Sequence, residues 1–135
     1  MKRLFLDANV LFTAAHNPDG KAALIISFGK EGIMQLCKSA FAVEEAHRNL
    51  AAKYPAALKQ LSELLKTPTI VPERPDAIFP PDLTEKDRPI FQAALVCKAT
   101  HLITGDTAHF SSFMRKPAKT FGIVIMTPAQ FLDSL

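Results

Sequence analysis

A chain of 135 residues falls within the usual size of one domain and is long enough to bury a core without disulfide bonds. Its composition, 48% apolar and 21% charged residues without repeats, excludes a disordered or fibrous protein. The net charge of +3 is modest, and the longest apolar stretch, Ala22 to Phe28, is too short to cross a bilayer. With no signal-peptide pattern and two isolated cysteines, Cys37 and Cys97, we expect a cytoplasmic protein of one domain with no membrane partner.

Short runs of Leu, Ile, Val and Phe alternate with longer segments of helical periodicity, a pattern typical of β-α-β units and a parallel sheet. The predicted strands are Arg3–Leu6, Met34–Cys37, Thr69–Val71, His101–Thr104 and Ile123–Met126. The predicted helices are Gly20–Lys30, Ala40–Lys53, Ala56–Lys66, Arg88–Ala99 and Pro128–Leu135. The proline-rich segment before Thr84 is predicted to be a long ordered loop. The sequence therefore predicts an α/β fold with a parallel sheet of about five strands.

Two acidic residues follow predicted strands directly. Asp7 comes after Leu4-Phe5-Leu6, and Asp106 comes after an apolar run that ends in Thr104-Gly105. Ligands of parallel sheets bind at the carboxyl ends of the strands, so both positions suit a functional site. For Asp7, the alternative is a turn-forming aspartate in Asp7-Ala8-Asn9.

Two further acidic positions lie on or next to helices. Glu44 and Glu45 are adjacent in a helix and point about 100° apart, so only one of them can face a given site. Asp87 lies just before Pro89, where an aspartate often caps a helix. An exposed glutamate and a capping aspartate are the alternatives, and periodicity alone leaves both open.

Carboxylates that converge on one cleft repel each other unless a cation is present. No His or Cys pair has the spacing of metal ligands, and an oxygen-only ligand set favours Mg²⁺ or Mn²⁺ over zinc. If the acidic residues cluster, the rest of the surface is more basic than the net charge suggests, which suits a polyanionic substrate. The candidate phosphate contacts are Arg48, Lys86, Arg88, Arg115, Lys116 and Lys119, with His109 as a further candidate substrate contact.

The chain resembles the PIN-domain family, including the VapC-like toxins, across nearly its whole length. An apolar strand ending in aspartate, a helical glutamate, an aspartate at a helix start and a second strand-end aspartate occur in the family's order. The matching positions are Asp7 with Asn9 in support, Glu45, Asp87, and Asp106 with Thr104 in support. The resemblance thus favours Glu45 over Glu44.

This resemblance implies a three-layer α/β/α sandwich and a metal-dependent ribonuclease. The four acidic residues would be catalytic and would bind Mg²⁺ or Mn²⁺, while Arg48 and Arg88 would contact the RNA. Family members are often toxins of toxin–antitoxin pairs and commonly homodimers. Some relatives carry another acidic residue just beyond the fourth, but here Thr107, Ala108 and His109 follow Asp106, so a second metal is in doubt.

Two other functions compete with the ribonuclease. One is a phosphatase with Asp7 as its nucleophile, although the general acid expected two residues later is replaced by Asn9. The other is a catalytically silent module that binds RNA or protein. Retention of all four acidic residues favours the enzyme.

Overall fold

One sheet of five parallel strands organises the computed structural model, which describes all 135 residues. The strands are β1 (Arg3–Leu6), β2 (Gln35–Lys38), β3 (Thr69–Ile70), β4 (His101–Ile103) and β5 (Val124–Met126). Every strand boundary lies within one residue of its predicted position. Local apolar runs were therefore sufficient to locate the sheet.

Six α-helices surround the sheet. They are α1 (Ala8–His16), α2 (Lys21–Lys30), α3 (Ala40–Lys53), α4 (Leu58–Leu64), α5 (Arg88–Val96) and α6 (Pro128–Asp133). The helix predicted from residue 88 to residue 99 ends early, because Lys98 adopts a positive φ of 57° and the Ala99 amide donates back to the carbonyl of Ala94. The residues before Leu58 form a short 3₁₀ helix instead of the first turn of α4.

Helix α1 was not predicted from the sequence. It begins immediately after β1, and Asp7 is its N-cap, with the Ala8 amide donating to the aspartate side chain over 2.7 Å. The buried side chains of Val10, Leu11 and Ala14 have helical spacing. Because no glycine or proline separates the strand from the helix, one apolar run contains both elements.

The sheet order β3-β2-β1-β4-β5 places β1 at its centre, paired with β2 and with β4. The chain moves from β1 towards β3, then crosses to β4 on the other side, so the order reverses between β1 and β4. Helix α1 contacts α2, α3 and α4, α5 contacts β1 and β4, and α6 returns to contact α2. Because the order reverses, the right-handed crossovers of parallel sheets place α5 on the face opposite to α1 to α4. The predicted three-layer α/β/α fold is confirmed.

A core of 33 buried apolar residues surrounds β1, whose Leu4, Phe5 and Leu6 have no solvent exposure. Their burial fixes the position of Asp7, the next residue. No helix of the protein combines the length and the apolar character needed to traverse a bilayer.

The proline-rich loop is held against α5. The buried Gln92 side chain donates to the carbonyls of Pro75 and Ala77, at 3.1 and 2.6 Å. The Arg88 guanidinium lies 4.5 Å from the centre of the Phe79 ring. These contacts give the loop a defined path towards Asp87.

Candidate active site

A cavity of about 320 Å³ lies at the carboxyl edge of the sheet, and four acidic side chains line it. Asp7 comes from the end of β1, Glu45 from α3, Asp87 from the residue before α5 and Asp106 from the segment after β4. Four separate elements thus bring the predicted acidic residues together on one cleft. The cleft coincides with the reversal of strand order between β1 and β4.

Hydrogen bonds join the ends of β1 and β4. The Thr104 hydroxyl donates to Asp7 Oδ2 over 2.8 Å, and the Asn9 amide nitrogen lies 3.3 Å from the same carboxylate oxygen. The Asp106 amide donates to the Thr104 hydroxyl oxygen at 3.1 Å. The two predicted supporting residues therefore link the two strand-end aspartates.

Gly105 allows the segment after β4 to pass close to α1. Its amide donates to Asn9 Oδ1 over 2.6 Å, and a Cβ at this position would stand 3.2 Å from the same oxygen. A larger residue would push Asn9 away from the end of β4. The glycine thus contributes to the spacing between Asp7 and Asp106.

His109 lies between Asp87 and Asp106. Its Nδ1 atom is 3.1 Å from Asp87 Oδ1 and 3.5 Å from Asp106 Oδ2, and the hydrogen bond with Asp87 raises the pKa of the imidazole above its usual value. The other Asp87 oxygen accepts a hydrogen bond from the Thr84 hydroxyl at 2.6 Å. Although Asp87 occupies the N-cap position of α5, its side chain makes no capping hydrogen bond. Its carboxylate is directed to the cleft instead.

The two adjacent glutamates of α3 have different surroundings. Glu45 is half-buried and lines the cleft, whereas Glu44 is exposed and lies 4.0 Å from Arg48 across one helical turn. Ala42 and Ala46, on the buried face of α3, fix the rotation of the helix. That rotation puts Glu45, and not Glu44, on the cleft wall.

Burial and neighbouring charge act on Asp7, which is only 6% exposed. Burial raises its pKa from 3.8 to about 6, and the negative charges of Glu45 and Asp87 add to this effect. The hydrogen bonds from Thr104 and Ala8 oppose it. The ionised form of the Asp7 carboxyl group therefore destabilises the folded protein when no cation is bound.

The chemistry of this donor set fits a hard divalent cation. The carboxylate oxygens of the cleft are ligands that Mg²⁺ and Mn²⁺ prefer, and a cation would reverse the raised pKa of Asp7. As the side chains stand, however, no three Asp, Glu, His or Cys groups are gathered closely enough to hold one ion. Asp7 and Asp87 instead accept hydrogen bonds from their neighbours, so binding an ion requires carboxylates to turn inward.

The predicted arginine contacts lie outside the cleft. Arg48 is exposed beside Glu44, and Arg88 donates to the Leu83 carbonyl while its guanidinium packs on Phe79. The cations that line the cleft are Lys53 and Lys86. Lys53, unlike Lys86, was not among the sequence candidates.

Phe12 and Asn49 also line the cleft and were not predicted. Asn49 lies four residues after Glu45, and Phe12 lies four residues after Ala8, another lining residue. Residues four apart lie on the same face of a helix. Once Ala8 and Glu45 are known to line the cleft, this spacing identifies Phe12 and Asn49 as further lining residues.

An α/β sandwich whose central strands end in acidic residues defines the class of this protein. The family model described as PIN domain matches residues 3–108. The chain belongs to the PIN-domain family, whose members are generally nucleases. The family resemblance found in the sequence is confirmed. No curated protein matches the chain significantly.

Two solved structures illustrate the shared fold. One is VapBC2 from Rickettsia felis bound to a DNA fragment from their promoter, with a TM-score of 0.66 and 14% identity over 93% of this chain and 98% of that chain. The other is VapBC-1 from nontypeable Haemophilus influenzae, with a TM-score of 0.56 and 13% identity over 94% and 98%. At such low sequence identity, the similarity to these two structures shows a shared fold and nothing more.

Proposed function

We propose that this protein is a metal-dependent endoribonuclease that hydrolyses phosphodiester bonds of RNA in the cytoplasm. The observation that carries the proposal is the meeting of four acidic side chains on one cleft where the strand order reverses. Membership of a family of nucleases agrees with this chemistry. The two free, buried cysteines agree with a reducing compartment.

In the proposed mechanism, Asp7, Asp87 and Asp106 hold Mg²⁺ or Mn²⁺, and Glu45 acts directly or through a water. When bound by these residues, the ion would supply Lewis acidity towards a water and towards the phosphate. Thr104 and the Ala8 amide fix the orientation of the Asp7 carboxylate. Lys86, on the cleft wall, offers a positive charge to a phosphate oxygen.

The proposal is tested with Asp7→Asn, a nearly isosteric change that removes one negative charge. We expect the variant to lose Mn²⁺-dependent cleavage of a labelled RNA while circular dichroism shows an intact fold. Asp19→Asn is the matched control, because Asp19 is exposed and lies outside the cleft. Equal cleavage by Asp7→Asn and the wild-type protein would contradict the proposal. RNA binding without cleavage by the wild-type protein would favour the silent module.

We further propose an antitoxin partner and a homodimer. The family resemblance includes toxins of toxin–antitoxin pairs, and the two solved structures named above are of VapBC proteins. Expression of this chain alone should arrest growth, and co-expression of a small neighbouring reading frame should restore it. Light scattering of the purified protein measures its oligomeric state, and a monomer would contradict the homodimer.

A further inference from the structure

The acidic cleft continues along the side of α3. Lining residues recur there at four-residue intervals, so they share one face of the helix. They are Phe41, Glu45, Asn49 and Lys53. Across the cleft, Ala8 and Phe12 of α1 have the same spacing.

An aromatic cluster stands at the end of this face. We call Phe12, His16 and Tyr54 the aromatic pad. The rings of His16 and Tyr54 are stacked, with their centres 3.7 Å apart and their planes 16° apart. The Phe12 ring lies 5.9 Å from Tyr54 at a tilt of 56°. Tyr54 remains 43% exposed and His16 is exposed, so the pad is an accessible aromatic surface.

Lys53 adds a positive charge to the pad. Its ammonium lies 5.9 Å from the centre of the Phe12 ring, and it takes part in none of the ion pairs of the structure. In proteins that bind single-stranded nucleic acid, aromatic rings stack on the bases and cations contact the phosphates. The pad and the unpaired Lys53 offer both kinds of group side by side. An amphipathic peptide helix would need a continuous apolar groove, whereas α3 presents Glu45 and Asn49 between its aromatic ends.

Lys53 and the adjacent Tyr54 lie farther along α3 than Glu45, whereas Phe12 of the pad lines the acidic cleft itself. Glu45 and Lys53 are eight residues apart on α3, which corresponds to about 12 Å along the helix. Stacked nucleotides advance by about 3.4 Å each, so the Tyr54 end of the pad lies several nucleotides from a bond held at the acidic residues. The pad therefore suits a base a few nucleotides away from the scissile bond.

We propose that the aromatic pad binds an unpaired base of a single-stranded RNA whose scissile phosphate lies at Asp7 and Asp106. The substrate class in this inference rests on the proposed nuclease function. Bases within a double helix are paired and stacked, so they cannot reach the pad, and duplex RNA is not bound there. The pad thus selects single-stranded regions.

The inference is tested by fluorescence anisotropy with labelled octauridine in EDTA, where no metal-dependent cleavage interferes. Tyr54→Ala should weaken binding about 5- to 150-fold, because stacking contributes on the order of 1–3 kcal/mol per base. Tyr54→Phe should bind like the wild-type protein. Phe121→Ala is the matched control, since Phe121 is an exposed aromatic residue outside the cleft. Should Tyr54→Ala fail to fold, His16→Ala removes another ring of the pad and should also weaken binding. Unchanged binding by His16→Ala would then overturn the inference.

Probes with one abasic position locate the contact. We expect an abasic residue at one position to weaken binding by the wild-type protein but not by Tyr54→Ala. Equal affinity of the wild-type protein and Tyr54→Ala for octauridine would overturn the inference. If the protein cleaves RNA but binds it independently of Tyr54, the inference about the pad is wrong and the nuclease function stands. If binding depends on Tyr54 but no RNA is cleaved, the inference about the pad is supported and the nuclease function is contradicted.

Discussion

The Thr104 hydroxyl, at the end of β4, donates to the Asp7 carboxylate, at the end of β1, over 2.8 Å. The hydroxyl oxygen of Thr104 also accepts a hydrogen bond from the Asp106 amide. Because Thr104 is fully buried, Thr104→Val leaves these partners unsatisfied, and we expect a loss of about 1–3 kcal/mol in the free energy of unfolding. Urea unfolding measures the loss. Thr104→Ser keeps the hydroxyl and should lose less, and a Thr104→Val variant as stable as the wild-type protein would contradict the role of the hydroxyl.

Asp7→Asn should stabilise the free protein at neutral pH. The pKa of Asp7 rises from 3.8 to about 6 on folding, so the folded state binds more protons between these values and stability falls as the pH rises through them. A shift of this size corresponds to about 3 kcal/mol at pH 7. We expect Asp7→Asn to raise the free energy of unfolding by about 1–3 kcal/mol at pH 7 but not below pH 4. A variant less stable than the wild-type protein at pH 7 would contradict this.

Metal binding should weaken as the pH falls through about 6, the pKa of Asp7. An ion binds the ionised carboxylate, so protonated Asp7 must first release its proton. We expect the affinity for Mn²⁺ to fall about tenfold for each pH unit below this value. Isothermal titration calorimetry between pH 5 and 8 measures it. An affinity that does not change over this range would exclude Asp7 as a ligand.

Glu45 and Glu44 form a matched pair of test positions. Glu45→Gln removes a carboxylate from the cleft wall, and we expect Mn²⁺ affinity and RNA cleavage to fall about 10- to 100-fold. Glu44→Gln removes only an exposed contact with Arg48, so cleavage and stability should remain unchanged. Similar effects of the two substitutions would contradict the observed rotation of α3.

A bound cation should lower the pKa of His109. Its hydrogen bond with Asp87 and the negative charge of Asp87 raise this pKa in the free protein, with a smaller effect from the charge of Asp106. A divalent ion that neutralises both carboxylates removes the stabilisation of the imidazolium. NMR titration of the His109 ring with and without Mg²⁺ measures the change. The ring signals of His47, which lies outside the cleft, serve as the control and should not respond to Mg²⁺.

Much of the fold could be predicted because local signals determine it. Short apolar runs located all five strands, and aspartates at the ends of two of them indicated the edge of the sheet where ligands bind. Helix α1 could not be predicted in the same way, because its apolar residues continue directly from β1. The sequence leaves Asp7 open as a metal ligand or as a turn residue, and in the structure Asp7 caps α1.

The surroundings of the candidate site depend on tertiary packing. The sequence offered Arg48 and Arg88 as phosphate contacts, but the rotation of α3 and the proline-rich loop direct them elsewhere. Lys53 has no local signal that separates it from other surface lysines. It lies at the cleft because the face of α3 that carries Glu45 continues for two more turns.

Helix α3 carries both Glu45 and Lys53, so its register would set the distance between the proposed base contact and the proposed cleavage site. One alanine inserted after Ala46 would rotate the rest of the helix by about 100° and turn Asn49 and Lys53 away from the groove. The fully buried Leu50 would turn with them, so the core would have to repack around it. Glu45 and the three aspartates lie outside the rotated segment, so the proposed cleavage would remain while the proposed base contact would no longer set its position. Insertions in this helix that the core accommodates would thus be an evolutionary route to new target preferences.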